Sequence, residues 1–513
     1  MSAIDNKRIA KNTFLLYVRM IFVMLISLYT SRRILSLLGI EDYGIFSAVG
    51  GIISLLGFLN NSLSVATQRF LTYALGENDL QKYNKVFSTA LTIHCLLAVI
   101  LFVIIEIVGV WFLNYKMNIP TNRLNAANWV FQTSVVSLII GVLQTPYSAS
   151  ITAHERLDVF AYVGVTEACV KLGAVMSLSF FDFDKLKLYG LIILMIHFAT
   201  YEVYRLVCRS LYKECHFKWI FDIELLKSLT SFTGWNLFGA LAWILKDHGS
   251  NILMNIFGGP AVNAARGVSS QISTSVTNLV NGFQTAVNPQ LTKTYASQNK
   301  EEMYILLCRS SKISYFLLFA LVLPLSIEME AVMNIWLVDV PKFSVMFTRL
   351  ILFESLINTI SGPVITCLMA TGQIKWYQLC VGSAMLLYIP ISFFLLHIGF
   401  HISTPLFVSI FLMLFALAGR LLFLRYNTGV PIISYLKEVL LPIVKVSILA
   451  IPFPLFCYVS IYNSILRLML VAVTSLLSVL LVAFFVGFNI EEQTLVKEYI
   501  YTFIKRKWKD RLA

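Results

Sequence analysis

Gly39, Asn61 and Leu71 recur as Gly259, Asn281 and Leu291, each 220 residues later. A second set, Pro146, Ala153 and Leu157, returns as Pro363, Ala370 and Ile374 after 217 residues. Two separated stretches sharing almost one offset point to a duplicated unit of about six helices. An even number of spans keeps both copies in the same orientation, so the halves are expected to relate by an axis along a membrane normal.

The membrane enters through composition. Of 513 residues 58% are hydrophobic and only 13% are charged, about half the charged share of soluble chains. Runs such as Val86 to Leu113, Leu191 to Leu206 and Ile465 to Phe488 exceed or approach the roughly 20 residues that cross a bilayer core. The first such run, Phe14 to Thr30, contains Arg19 and is followed by no small-residue cleavage site, so it reads as a retained helix. The expected fold is all-α: a polytopic membrane protein of about fourteen transmembrane helices, two six-helix lobes in a V shape plus two C-terminal helices. The lobes are assigned to residues 1–218 and 219–430, the added helices to 431–490, and a basic tail to 491–513.

Charge sets the orientation. With a cytoplasmic N-terminus, Lys7, Arg8, Lys11, Lys82, Lys85, Arg156, Arg209, Lys213, Lys218, Lys227, Lys293, Lys300, Arg309, Lys375, Arg425 and Lys437 fall inside, whereas the outer loops carry mainly Arg32, Arg33, Lys116, Arg123, Lys185, Lys187, Lys342 and Arg467. This is the positive-inside pattern, and an even span count returns the tail with Lys505, Arg506, Lys507, Lys509 and Arg511 to the same side. The net charge of +13 then reads as contact with anionic membrane lipids rather than nucleic acid. The eight cysteines include no CxxC pair and read as small core residues, without disulfides or metal.

The eighth span carries the chemistry. Twelve of the twenty residues from Ser269 to Asn288 are Ser, Thr, Asn or Gln. Arg266, Ser270, Ser273, Thr277, Asn281, Gln284 and Asn288 recur at helical spacing, with Val268, Ile272, Val276, Leu279, Phe283 and Val287 opposite. Span two repeats the theme with Asn60, Asn61, Ser64, Thr67 and Gln68. The stripe is read as the wall of a water-filled cavity, the alternative being a polar seam between helices. Ionisable residues inside spans cost roughly 2.5–3.5 kcal/mol each on insertion scales, so they should face the bundle interior. Arg19, the Lys246–Asp247–His248 cluster and Arg266 are such residues, and the cations among them suggest a positive interior suited to an anion. Asp247 and Glu106 are the carboxylates that could carry a coupling ion, H+ or Na+; for Glu106 a place at the outer interface is the other reading. There is no Gly-rich phosphate loop, no HExxH and no nucleophile elbow. Neither an enzyme nor a cofactor is expected.

The basic start NKRIAKNTFLLYVRM, the LLGIEDYGIFSAVGGIISLL opening of span two and the TGQIKWYQ turn after span ten resemble the Wzx-type polysaccharide or O-antigen flippases. These belong to the multidrug/oligosaccharidyl-lipid/polysaccharide exporter superfamily. The resemblance implies alternating-access translocation of an undecaprenyl-pyrophosphate-linked oligosaccharide across a bacterial inner membrane, for polysaccharide biosynthesis. It also implies a cation-lined cavity, for which Arg19, Lys246 and Arg266 are placed, with Asn61, Ser270, Thr277, Asn281 and Gln284 meeting the sugar. A cation-coupled multidrug or metabolite antiporter of the same superfamily is the alternative.

Overall fold

In a computed structural model, residues 6–54, 57–115, 117, 119–219, 222–337, 339–495 and 497 are described. The basic tail from Lys505 to Arg511 lies outside them. The described residues are helical almost throughout and include no strand. Eleven helical stretches among them are long and apolar enough to cross a membrane. The expected spans absent from that set are two, seven and eight, which the sequence marks by polar and charged residues. Span two runs from the Gly39 kink of α1 (Asn6–Ser54) through α2 (Gly57–Gly76), and spans seven and eight are the two halves of the 74-residue α7 (Ile223–Ala296).

Backbone conformation repeats with the sequence. Gly39 (φ 78°, ψ 171°) and Gly259 (φ 73°, ψ −176°) kink α1 and α7 at equivalent points. Both occupy a region that only glycine enters readily. Asn78 and Gln298, 220 residues apart, share left-handed φ values of 57° and 58°, as do Glu155 and Gly372, 217 apart, at 60° and 76°.

The chain forms two compact units, Met1–Ala240 with Thr292–Gln298, and Leu241–Leu291 with Asn299–Ala513. Unit 1 adds α3 (Leu80–Tyr115), α4 (Leu124–Ala153), α5 (Leu157–Ser177) and α6 (Lys185–Leu211). Its core runs along α3 and α4 through Leu101, Ile105, Val130, Phe131 and Val135. Gly109 is required there, because a Cβ would overlap the Phe131 ring. The other side of α3 exposes Val99, Val103 and Ile107, as a lipid-facing helix does. At one end Arg123 bonds Asp42 and, at 2.8 Å, Asp184, the N-cap of α6. Burial would push the Asp184 carboxyl up, but Arg123 and the Lys187 and Leu186 amides hold it below its ordinary value. At the opposite end buried Glu155 pairs with Arg8 at 3.5 Å and Lys293 at 2.6 Å, which is how an uncommon left-handed glutamate is held in place.

Unit 2 contains Leu241–Leu291 of α7, on both sides of the Gly259 kink, then α8 (Lys300–Ile327), α9 (Met329–Trp336), α10 (Ser344–Thr371), α11 (Lys375–Leu386), α12 (Tyr388–His397) and α13 (Thr404–Thr428). Here α10 packs on α8 and α13 as α4 packs on α3 and α6 in unit 1. The two added spans, Ile432–Ser460 and Ser464–Gly487, dock on α8. Arg467 forks onto buried Glu328 at 2.7 and 3.1 Å, and Lys312 pairs with Glu492 at 2.5 Å. Tyr315 meets Ser447 between these pins at 2.8 Å.

Candidate functional site

A pocket of about 260 Å³ opens in unit 2 where α7, α10, α12 and α13 meet. Lys246 and Arg266, on either side of the Gly259 kink, are only 5% and 6% exposed. Lys246 Nζ lies 2.7 Å from Glu354 Oε1 on α10, and 4.9 and 5.6 Å from the Trp243 and Tyr388 ring centres. Arg266 Nη2 donates to Asp247 at 2.7 Å, Nη1 donates to Asn251, and the buried Nε has no acceptor among the described residues. Tyr388 donates to Ser250 at 2.6 Å. Ser270, Thr274, Asn358 and Ser409 complete the hydroxyl and amide wall.

The expected positive interior is corrected here: the two cations of this pocket are matched by two carboxylates. Glu354 was not singled out from the sequence, although it is a lone acidic residue in an apolar span, the signal that marked Arg19. Asp247 pairs with Arg266, not with its neighbour Lys246, because successive residues on a helix point in different directions. His248 is exposed and lines no part of the pocket. Arg420 on α13 also escaped notice; it is buried, and its Nε and Nη1 meet no acceptor among the described residues.

The polar stripe of α7 divides into two roles. Gln284 donates to Ser314 at 3.2 Å and to the Thr359 carbonyl at 3.1 Å, Ser273 meets Ser355 at 2.8 Å, and Thr366 donates to Asn288 at 2.9 Å. Gln284 therefore sits in a seam with α8 and α10 rather than on an open wall, and Gly362 leaves the space it fills. Thr277, half-buried, returns its hydroxyl to the Ser273 carbonyl at 2.8 Å. Ser270 lines the pocket and Asn281 is exposed. The exposed polar row is Gln271, Thr274, Ser275, Asn278 and Asn281, rotated from the expected stripe. Single cysteines at Gln271, Thr274 and Asn278 are expected to react with a water-soluble maleimide, whereas cysteines at Ser269, Phe283 and Ala286 stay protected. Uniform labelling around the helix would contradict this placement.

Arg19, Asn61 and Glu106 lie in unit 1. Arg19 stacks on Phe160 of α5 at 4.4 Å, its Nε is buried without an acceptor, and no carboxylate among the described residues pairs with it. A Cβ at Gly164 would overlap its guanidinium. Asn61 is exposed, while Asn60 accepts from Thr145 at 2.7 Å. Glu106 stands nine residues before the end of α3, about 14 Å along the axis, and accepts from Gln132 at 2.9 Å with Oε1 buried and unpartnered.

Among solved structures, the chain is similar to an outward-facing multidrug resistance MATE family transporter of the MOP superfamily (TM-score 0.71, 12% identity, 82% of this chain and 96% of that one). It is also similar to the MATE transporter ClbM in complex with Rb+ (0.69, 14%, 84% and 97%). A third is a MOP superfamily transporter from Pyrococcus furiosus, described as having a binding pocket of reverse polarity that suggests a different function (0.66, 14%, 84% and 96%). No family model and no curated protein matches the sequence. At such identities the likeness is one of fold: this is an all-α polytopic membrane protein with the MATE-like architecture.

Proposed function

We propose that the chain is a secondary transporter of the bacterial inner membrane, with both termini cytoplasmic, that flips an undecaprenyl-pyrophosphate-linked oligosaccharide for O-antigen or capsule synthesis. The observation that supports this reading is the polar pocket of unit 2, where hydroxyls, an amide and buried charges stand among helices otherwise built for lipid. Isolated charges or unpaired polar groups are costly there, so a pocket that retains them suits a hydrophilic cargo. Arg19, stacked on Phe160 with its buried Nε lacking an acceptor among the described residues, is assigned to the pyrophosphate, whose charge needs charge-assisted hydrogen bonds. Lys246, Arg266, Ser270, Thr277 and Asn281 are assigned to the remaining polar head, with Asn61 beside them in role. The polyprenyl chain stays in the lipid.

Glu354 and Asp247 favour a second reading, a cation-coupled multidrug or metabolite antiporter, since carboxylates in a membrane pocket are what a cationic solute or a coupling H+ or Na+ would use. One neighbour of this fold is described as binding Rb+. Deleting the gene separates the readings: the flippase reading expects lipid-linked oligosaccharide to accumulate on the cytoplasmic leaflet, and the antiporter reading expects intact glycan with raised sensitivity to cationic compounds. Gly164→Ala refines the test. The flexible Arg19 side chain yields to the new methyl, so protein levels should be normal while glycan export falls about tenfold, the equivalent of ~1.4 kcal/mol in one charged contact. Unchanged export would remove Arg19 from the site.

A further inference from the structure

The unit 2 pocket is charged yet electrically closed. Each cation holds its own carboxylate at 2.7 Å. A pyrophosphate entering it would have to eject Glu354 from Lys246 and would then face both carboxylates, and like charges brought together at low dielectric repel strongly. Apart from the buried Arg266 Nε, what the pocket leaves unspent is neutral. Ser409 Oγ is buried with no partner among the described residues, and Ser270, Thr274 and Asn358 add further hydroxyl and amide groups to the same wall. Trp243 lines the same pocket and is 40% exposed; with Lys246 Nζ over one side of its ring at 4.9 Å, it has its other flat apolar face to offer. Such a face suits the C–H side of a sugar ring while the opposite edge of the ring finds hydrogen bonds. The volume of about 260 Å³ is below the ~300–1,000 Å³ of sites for drug-sized ligands, which limits the occupant to about one ring.

We propose that this pocket is a subsite for a single uncharged sugar residue of the cargo, a hexose or N-acetylhexosamine stacked on Trp243 and hydrogen-bonded to Asn358 and Ser409, and that it excludes the pyrophosphate. The inference rests on the flippase reading and sharpens it, because it places glycan selectivity in unit 2 and leaves the anion to Arg19. The two ion pairs then act as positioning groups. Lys246–Glu354 fixes α7 against α10, Arg266–Asp247 braces the two halves of α7 across the Gly259 kink, and both repel unbalanced charge of either sign.

The test uses the full-length purified chain in nanodiscs, with glucose, N-acetylglucosamine, inorganic pyrophosphate and tetraphenylphosphonium as separate probes. Saturation-transfer NMR on the unaltered protein should show contact to the sugar ring protons at millimolar sugar. Trp243→Phe should retain most of this binding, whereas Trp243→Ala and Asn358→Ala should each weaken it at least tenfold. Pyrophosphate should bind the wild type no better in the presence of Lys246 than in Lys246→Met. Pyrophosphate binding that depends on Lys246 and exceeds sugar binding would overturn the inference and leave the flippase reading standing. Tetraphenylphosphonium binding that depends on Asp247 or Glu354, with no sugar contact, would overturn both. Absence of any sugar contact would overturn the inference by itself.

Discussion

Lys246→Met is expected to destabilise the protein by about 3–5 kcal/mol, because it strands the Glu354 carboxylate in a site with little access to water. Glu354→Gln should cost a comparable amount by leaving the 5%-exposed ammonium without its counter-charge. Combining Lys246→Met with Glu354→Gln removes both charges and should recover most of the loss, since a buried pair as a whole contributes little net stability. Thermal unfolding of the four proteins in one detergent measures this as a double-mutant cycle. Two independent, additive losses would show that the pair is not formed. Transport separates from stability in the same set: the neutral double variant should fold yet export poorly, because the two groups also orient the pocket wall.

The second large effect concerns the two kinks. At φ near +75° with ψ near 180° a Cβ is strained whatever space surrounds it, and neither glycine has a neighbour within 4 Å of the Cβ position. The cost is therefore intrinsic to the backbone, about 1–3 kcal/mol for each of Gly39→Ala and Gly259→Ala. The sites belong to different helices with no shared partner, so the double variant should lose about 2–6 kcal/mol. A drop in unfolding midpoint that is equal for the two single variants and summed in the double is the expected result. Tolerance of alanine at either site would mean that the helix does not turn there as described.

These glycines also show why so much of the fold was legible. The 220-residue recurrence of Gly39 and Gly259 is a backbone requirement written in residue type, so repeat and kink could be read together. Apolar length marked eleven spans by itself, and the duplication was needed to recognise the polar eighth span. The site was legible only in part. Lys246, Asp247 and Arg266 stood out because charge in a membrane helix is expensive, and all three meet in one pocket. Their partners did not, since Glu354 comes from a helix more than a hundred residues away and spacing within α7 says nothing about it. The orientation of the polar stripe was misjudged for a related reason. Serine and threonine are small enough to seal two helices together and polar enough to face water, so Gln284 and Ser273 cannot be told from Gln271 and Asn278 until α10 is in place.

On the proposed flippase reading this chain moves a glycan-bearing lipid and not a cationic solute. Proteoliposomes holding the purified protein and an undecaprenyl-pyrophosphate-linked oligosaccharide in the inner leaflet test it most directly, with a membrane-impermeant lectin reporting sugar that reaches the outer leaflet. Lectin-accessible glycan is expected to rise in a protein-dependent manner, and to fall about tenfold with Arg19→Ala, a loss of ~1.4 kcal/mol in one charge-assisted contact. Glycan that stays inside, while the same vesicles exchange an organic cation for H+ or Na+, would contradict it.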